Sequence, residues 1–176
     1  VLSTHRNAAD DTGYAWKFIG GNGTNMYIIY RNFDSDPLQR DIVRCTMASR
    51  NSSDDCTQTA TYWTKWYNTS TNVSTAVWSE YNTSGHVLTA TQYFQFGNQT
   101  FNKTNNYYFN YTDGKCAVVL TPHWNKAAEP CENACEMWVR DGSTESWNST
   151  CDRVYNDICG KRNITIYYKE YCDKIP

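Results

Sequence analysis

Short runs rich in aromatic and β-branched residues recur along the first two thirds of the chain, and turn residues bound each of them. The runs cover residues 26–33, 42–48, 59–67, 73–81, 87–96, 106–111 and 116–121. Turn chemistry fills residues 49–55, 82–85 and 97–104, and Asp113-Gly114 is a strong tight-hairpin signal. An eighth run, 136–140, follows a loop over residues 123–133. Strands this short and this regularly spaced predict an all-β antiparallel meander of about eight strands, closed as a barrel or stacked as a sandwich.

Helical spacing flanks this array on both sides. Residues 7–18 can hold a short helix before the first strand. After Ser149-Thr150, the residues Cys151, Val154, Tyr155 and Ile158 fall at i, i+3, i+4 and i+7, which places them on one helix face. Gly160 is the expected stop, and residues 164–168 read as a last short strand.

Ten Asn-X-Ser/Thr sequons add a second layer of information. They lie at Asn22, Asn51, Asn68, Asn72, Asn82, Asn98, Asn102, Asn110, Asn148 and Asn163. A hydrated sugar cannot be packed into a core, so a glycosylated sequon marks an outward residue and an extracellular protein. Side chains in a strand alternate faces. An outward Asn110 therefore turns Tyr107, Phe109 and Tyr111 inward and Tyr108 outward. An outward Asn72 does the same for Val73, Thr75, Val77, Ser79 and Tyr81, and Asn163 sets Ile164, Ile166 and Tyr168 against the body. An interior with so many tyrosines and hydroxyls is the composition of a ligand cavity; buried tyrosines satisfied by local partners are the simpler alternative. Trp63 and Trp66, three apart, face opposite ways, so one of them belongs to the rim or the exterior.

Composition narrows the class. The 176 residues suit one domain, residues 1–176, and the net charge of −2 offers nothing to nucleic acid or an anionic surface. The 14 Tyr, 7 Trp and 6 Phe belong to a folded protein with an aromatic interior, despite a negative mean hydropathy. No apolar run reaches the roughly 20 residues of a membrane span. The start at Val1, without a basic-then-apolar leader, reads as a mature secreted product. Eight cysteines fit four disulfides in an oxidising compartment, and the scattered His5, His86 and His123 give no metal-site spacing. No cofactor is implied.

Several ordered motifs resemble the tick salivary lipocalins, the histamine-binding-protein-like family. They are Ala15-Trp16-Lys17, Asp36-Pro37, Asp113-Gly114-Lys115-Cys116, Cys135-Glu136-Met137-Trp138-Val139, the Cys151-x3-Tyr155-x3-Cys159 segment and Cys172, and they span nearly the whole chain. The resemblance implies an eight-stranded up-and-down antiparallel barrel closed at one end, with a short N-terminal helix and a C-terminal helix packed outside. It also implies the pairs Cys45–Cys172, Cys116–Cys151 and Cys135–Cys159. Cys56 and Cys131 are then left for each other, or Cys131 pairs with Cys135 and Cys56 with Cys159.

Members of that family sequester small mediators of inflammation: histamine or serotonin, leukotrienes or thromboxane, and, in the Japanin-like branch, cholesterol. Glu136 and Trp138 match positions that hold an amine in the histamine binders, and Asp36 matches a second acidic position. Two departures weigh against an amine. Tyr107 stands where those binders place an inward Asp, and Gln39 where they place a Trp. A cavity of Tyr81, Val77, Tyr107, Phe109, Tyr111 and Trp138 around Glu136 suits a larger, mostly apolar ligand such as a sterol or eicosanoid better than a biogenic amine.

Other classes fit less well. Cys45, Trp63 and Cys116 have the approximate spacing of an immunoglobulin sandwich, yet Gly114 replaces its tyrosine and the other six cysteines have no place in it. Binding of a host immune-cell protein is a related reading, with residues 122–130 the least sugar-shielded region. No G-x-S-x-G or fixed carboxylate pair supports catalysis. The sequence thus predicts a secreted binding protein rather than an enzyme, with the stretch 105–140 as the first place to look for a ligand.

Overall fold

The computed structural model describes residues 14–33, 43–143 and 149–175. Asp36, Asn148 and most of the expected helix over residues 7–18 lie outside the described residues.

A short helix, α1 (Tyr14–Ile19), leads into β1 (Asn25–Arg31). Seven more strands follow: β2 (Val43–Asp54), β3 (Thr59–Asn68), β4 (Val73–Ser84), β5 (Val87–Phe96), β6 (Gln99–Thr112), β7 (Cys116–Leu120) and β8 (Cys135–Arg140). Each pairs antiparallel with the next, and β1 pairs with both β8 and β2, which closes an eight-stranded barrel. A 3-10 turn, Pro122–Ala127, lies between β7 and β8; α2 (Ser149–Cys159), β9 (Ile164–Thr165) and α3 (Lys169–Cys172) complete the chain.

Two strands run further than their hydrophobic pattern predicts. Residues 97–104, read as a loop, contain only the two-residue Gly97-Asn98 turn, and Phe96 pairs directly with Gln99. Gly97 sits at φ +56°, a backbone region that costs glycine nothing. Residues 49–55 likewise extend β2 to Asp54, held by the Ser52–Thr61 hydroxyl pair at 2.7 Å. At the β6–β7 hairpin, Asp113 Oδ1 accepts bonds from the backbone N–H groups of Lys115 and Cys116 at 2.8 and 2.9 Å. Gly114 takes φ +90° there, as the Asp-Gly signal predicts.

The barrel has two apolar layers. The inner one joins α1 to the barrel floor through Phe18, Ile19, Tyr62, Leu88, Phe109 and Trp138. The outer one lies between the β1–β7–β8 wall and α2, with Met137, Val139, Cys151, Tyr155 and Cys159 at its centre. All six residues of β8 are consequently buried, Glu136, Trp138 and Arg140 on one face and Cys135, Met137 and Val139 on the other. The predicted helix face of Cys151, Val154, Tyr155 and Ile158 is the one that packs on this wall.

Arg140 closes the bottom. Its guanidinium donates to the carbonyls of Phe18, Asn22 and Gly23 at 3.0, 3.0 and 2.6 Å, which ties the end of α1 and the turn after it to β8. Tyr62 Oη donates to Ile19 O at 2.7 Å from the opposite wall. The other end of the barrel is open.

At that open end β1 changes partner. Its first half, Asn25 to Tyr27, pairs with β2, whereas Tyr30 and Arg31 pair with β9. Ile166 then bridges both sides, donating its N–H to Ile29 O and accepting from Cys45 N, each at 2.7 Å. The Cys45–Cys172 disulfide pins the same seam.

The Cys116–Cys151 and Cys135–Cys159 bridges fasten α2 to β7 and β8. The expectation of four disulfides is corrected to three. Cys56 and Cys131 are free and exposed, because one occupies the β2–β3 turn at the closed end and the other the loop before β8 at the open end. The Cys135–Cys159 bridge also rules out the alternative of Cys131 with Cys135 and Cys56 with Cys159. The immunoglobulin reading falls with it, since Cys45 pairs with Cys172 and not Cys116.

Candidate functional site

The side chains that alternate inward on the strands surround a cavity of about 690 Å³ above the Phe18–Phe109 floor. Its wall is largely apolar and aromatic, with Met26, Ile28, Trp66, Phe94, Tyr107 and Trp138 among the lining side chains. That volume falls within the range of about 300–1,000 Å³ typical of sites for single organic ligands.

Glu136 is the buried acid of this wall, 4 % exposed. Its Oε2 accepts a hydrogen bond from Trp138 Nε1 at 2.8 Å. Arg31 stands opposite Glu136 in the β1–β8 ladder. Burial pushes the Glu136 carboxyl above its ordinary pKa, and the Trp138 N–H and the Arg31 charge only partly offset this. Arg31 is itself buried, donates from Nε to Phe33 O at 3.0 Å and lies with its guanidinium 4.7 Å from the Phe33 ring centre. Glu136 thus already has a cation and an indole donor, which leaves little unbalanced negative charge for a ligand.

Across the cavity, Thr64 Oγ1 lies 2.8 Å from Ser79 Oγ and 3.4 Å from the Tyr81 hydroxyl. Tyr81 also stacks on Tyr62 at 4.8 Å between ring centres. Burial raises the Tyr81 pKa, and the Glu136 charge adds to the effect, so Tyr81 is a neutral donor and acceptor at physiological pH. The mouth carries a different chemistry. Lys103 Nζ lies 4.9 Å over the Trp124 ring, and Phe94, Phe96 and Phe101 form a stack on the β5–β6 hairpin. Among the described residues the charged side chains of the cavity wall are Arg31, Lys103 and Glu136, two cations to one acid.

The expected site residues divide into three groups. Glu136, Trp138, Tyr107 and Tyr81 line the cavity. Phe109 and Val77 are buried on the inward side, Phe109 in the floor against Trp138, but neither belongs to the cavity wall. Tyr111 is corrected: it packs in the outer layer with Cys116 and Tyr155. A bulge between Phe109 and Tyr111 leaves Asn110 as an extra residue and flips the alternation after it. Tyr168 is corrected as well. It is 46 % exposed while Tyr167 is buried, because β9 ends at Thr165 and strict alternation ends with it. Val73, expected inward, lies at the rim and is 52 % exposed.

The residues that sequence reading missed are Arg31, Lys103, Trp66 and Phe94. Lys103 had been hidden in a supposed loop, although Phe101, Lys103, Asn105 and Tyr107 keep the period of two that signals one face of a strand. Arg31 faces inward because a second bulge, between Ile28 and Tyr30, shifts the β1 alternation. Trp63 is the outer member of the Trp63/Trp66 pair, at 50 % exposure. Arg162, just after α2, forms an ion pair with Glu129 at 2.8 Å.

A closed eight-stranded barrel with a sealed floor, an open mouth and an aromatic-lined cavity defines a lipocalin-like fold. A family model described as tick histamine binding protein matches residues 3–174, and the chain belongs to that family. Among solved structures it is similar to AM182 in its serotonin complex, with a TM-score of 0.61 and 15 % identity over 95 % of this chain and 98 % of that one. It is also similar to Japanin from Rhipicephalus appendiculatus bound to cholesterol, with a TM-score of 0.55 and 14 % identity over 84 % of this chain and 95 % of that one. At these identities the likeness concerns the fold. A search among curated protein sequences finds no match.

Proposed function

We propose that this protein is a secreted, glycosylated carrier that captures one small host mediator in its barrel by stoichiometric binding without turnover, and thereby modulates host inflammation and immunity. A lipid mediator or sterol is the favoured ligand class, and the charge of the wall favours a lipid bearing a carboxyl group. The observation that carries this reading is the balance of Arg31 and Lys103 against Glu136 among the described residues of a wall whose remaining side chains are apolar, aromatic or uncharged polar. Each buried methylene contributes about 0.8 kcal/mol, so a long acyl or ring system gains far more here than a small amine does. A buried cation would instead cost several kcal/mol to desolvate, and among the described wall residues the acid that could offset it, Glu136, already faces Arg31. The cholesterol and serotonin named in the structural relatives make both ligand classes reasonable candidates.

A biogenic amine is the second reading, favoured by the acid-and-indole pair of Glu136 and Trp138 on one inward face. Extraction of the secreted protein followed by mass spectrometry, with titration of a C20 polyunsaturated fatty acid, a leukotriene, cholesterol, histamine and serotonin, separates the two. Submicromolar binding of the acidic lipids supports the first reading. Submicromolar histamine binding that disappears in Glu136→Gln would overturn it.

A further inference from the structure

The outer wall of the barrel carries a row of aromatic side chains that the ligand site does not use. Trp63 pairs with Trp78, Trp78 with Tyr93, and Tyr93 with Asn102, in one line across β3, β4, β5 and β6. All four point away from the cavity, since Thr64, Tyr81, Gln92 and Lys103 on the alternate positions line it. The Trp63 and Trp78 rings meet edge to face at 5.3 Å, and Tyr93 is held by a 2.8 Å bond from its hydroxyl to Glu80 Oε2. Trp63 is exposed and Trp78 and Tyr93 are half-buried, and an aromatic row that faces water even in part is a liability unless something covers it.

Asn102 is the asparagine of the sequon Asn102-Lys103-Thr104 and is exposed. Directly paired residues on neighbouring strands have their Cβ atoms about 4.5–5.5 Å apart. A sugar on Asn102 Nδ2 therefore begins beside the Tyr93 ring, and the next strand, with Trp78, lies about 4.8 Å further on. A pyranose of the N-glycan core presents a flat face of C–H groups, which stacks on an aromatic face by apolar contact and weak C–H hydrogen bonding. Hydroxyl groups flank the row: Thr91 and Thr104 lie 2.9 Å apart on one side, and Gln95 pairs with Thr100 on the other. These are suitable partners for the sugar hydroxyls.

We propose that Asn102 carries an N-linked glycan whose first two N-acetylglucosamine residues lie over Tyr93 and Trp78, so that the chain supplies its own cover for this wall. The proposal rests on the extracellular reading above.

The test is expression through the secretory pathway of arthropod cells, with site-resolved glycopeptide mass spectrometry and removal of the glycan by Asn102→Gln. The expected result is an occupied Asn102 and a melting temperature roughly 2–4 °C lower without the glycan, the shift that about 1 kcal/mol gives a domain of this size. The indole N–H signal of Trp78 should move while that of Trp138 stays. In a Tyr93→Ser, Trp78→Ser background the same glycan removal should leave the melting temperature unchanged. Trimming to a single N-acetylglucosamine should retain part of the effect. An occupied Asn102 whose removal moves neither the melting temperature nor the Trp78 signal would overturn the stacking. An unmodified Asn102 beside other occupied sequons overturns it while leaving the secreted reading intact, and a chain with no occupied sequon overturns both.

Discussion

Trp138 Nε1 donates to Glu136 Oε2 at 2.8 Å, two residues away on the same inward face of β8. The bond lies in the cavity wall, where water competes poorly and an unmatched acceptor is costly. Trp138→Phe retains ring bulk but removes the donor. It should lower the stability by about 1–3 kcal/mol, read as a lower urea midpoint with an unchanged slope. The Glu136 carboxyl should then titrate higher still, because burial, the largest influence on it, acts with less opposition.

Lys103 at the mouth offers a sharper probe of ligand class than Arg31, which is buried and bonded to Phe33 O. Lys103→Met keeps the side-chain length and its contact with Trp124. If the ligand is an acidic lipid, its affinity should fall about tenfold, near 1.4 kcal/mol, with cholesterol affinity unchanged. Competitive titration with both ligands measures the difference.

The pH dependence should carry a signature of His123. Burial, followed by the nearby Lys103 charge, lowers its pKa from 6.5 to about 4. The unfolded chain therefore binds a proton that the folded chain refuses between these values, so stability is full above pH 6.5 and is lost as pH falls toward 4. His123→Phe should flatten that part of the melting-temperature profile, and calorimetry from pH 4 to 7 on both proteins gives the difference curve.

Among the three disulfides, Cys45–Cys172 spans 127 residues and Cys135–Cys159 only 24. Loop-closure entropy puts the loss on removing them at roughly 5 and roughly 3 kcal/mol. Replacing each pair with alanines should rank them in that order in guanidinium unfolding. The Cys45–Cys172 variant should also loosen the mouth, seen as faster amide exchange at Ile166 and Cys45, whose backbones are bonded at 2.7 Å.

Much of this architecture was legible because strands with one wet face repeat every second residue. The strand count, the helix face of Cys151, Tyr155 and Ile158, the Asp113-Gly114 hairpin and the inward Tyr81 and Tyr107 all follow from periodicity or turn chemistry, and the inward Trp138 from the family resemblance. The family resemblance supplied the three disulfide pairs. The errors have one main physical cause. A bulge adds a residue without any compositional mark, and the bulges in β1 and β6 turned Arg31 inward and Tyr111 outward against the alternation. The second cause was polarity: Asn- and Thr-rich stretches read as loops, although Gln99–Thr104 and Ser49–Asp54 are paired strands whose outer faces meet water. Lys103 was lost to that reading, and with it one of the two cations of the described cavity wall.

The exchange of partners along β1 has a consequence for shape. Near the floor the wall has eight staves, but toward the mouth β9 and Ile166 are inserted between β1 and β2 as a partial ninth. Barrel diameter grows roughly linearly with strand number, so the vessel flares toward its opening instead of keeping one girth. A tapered vessel sorts its contents by outline. It favours a molecule that is slim where it meets Tyr81 and broader where it meets Lys103 and Trp124, and the Cys45–Cys172 bridge fixes how far the flare can open.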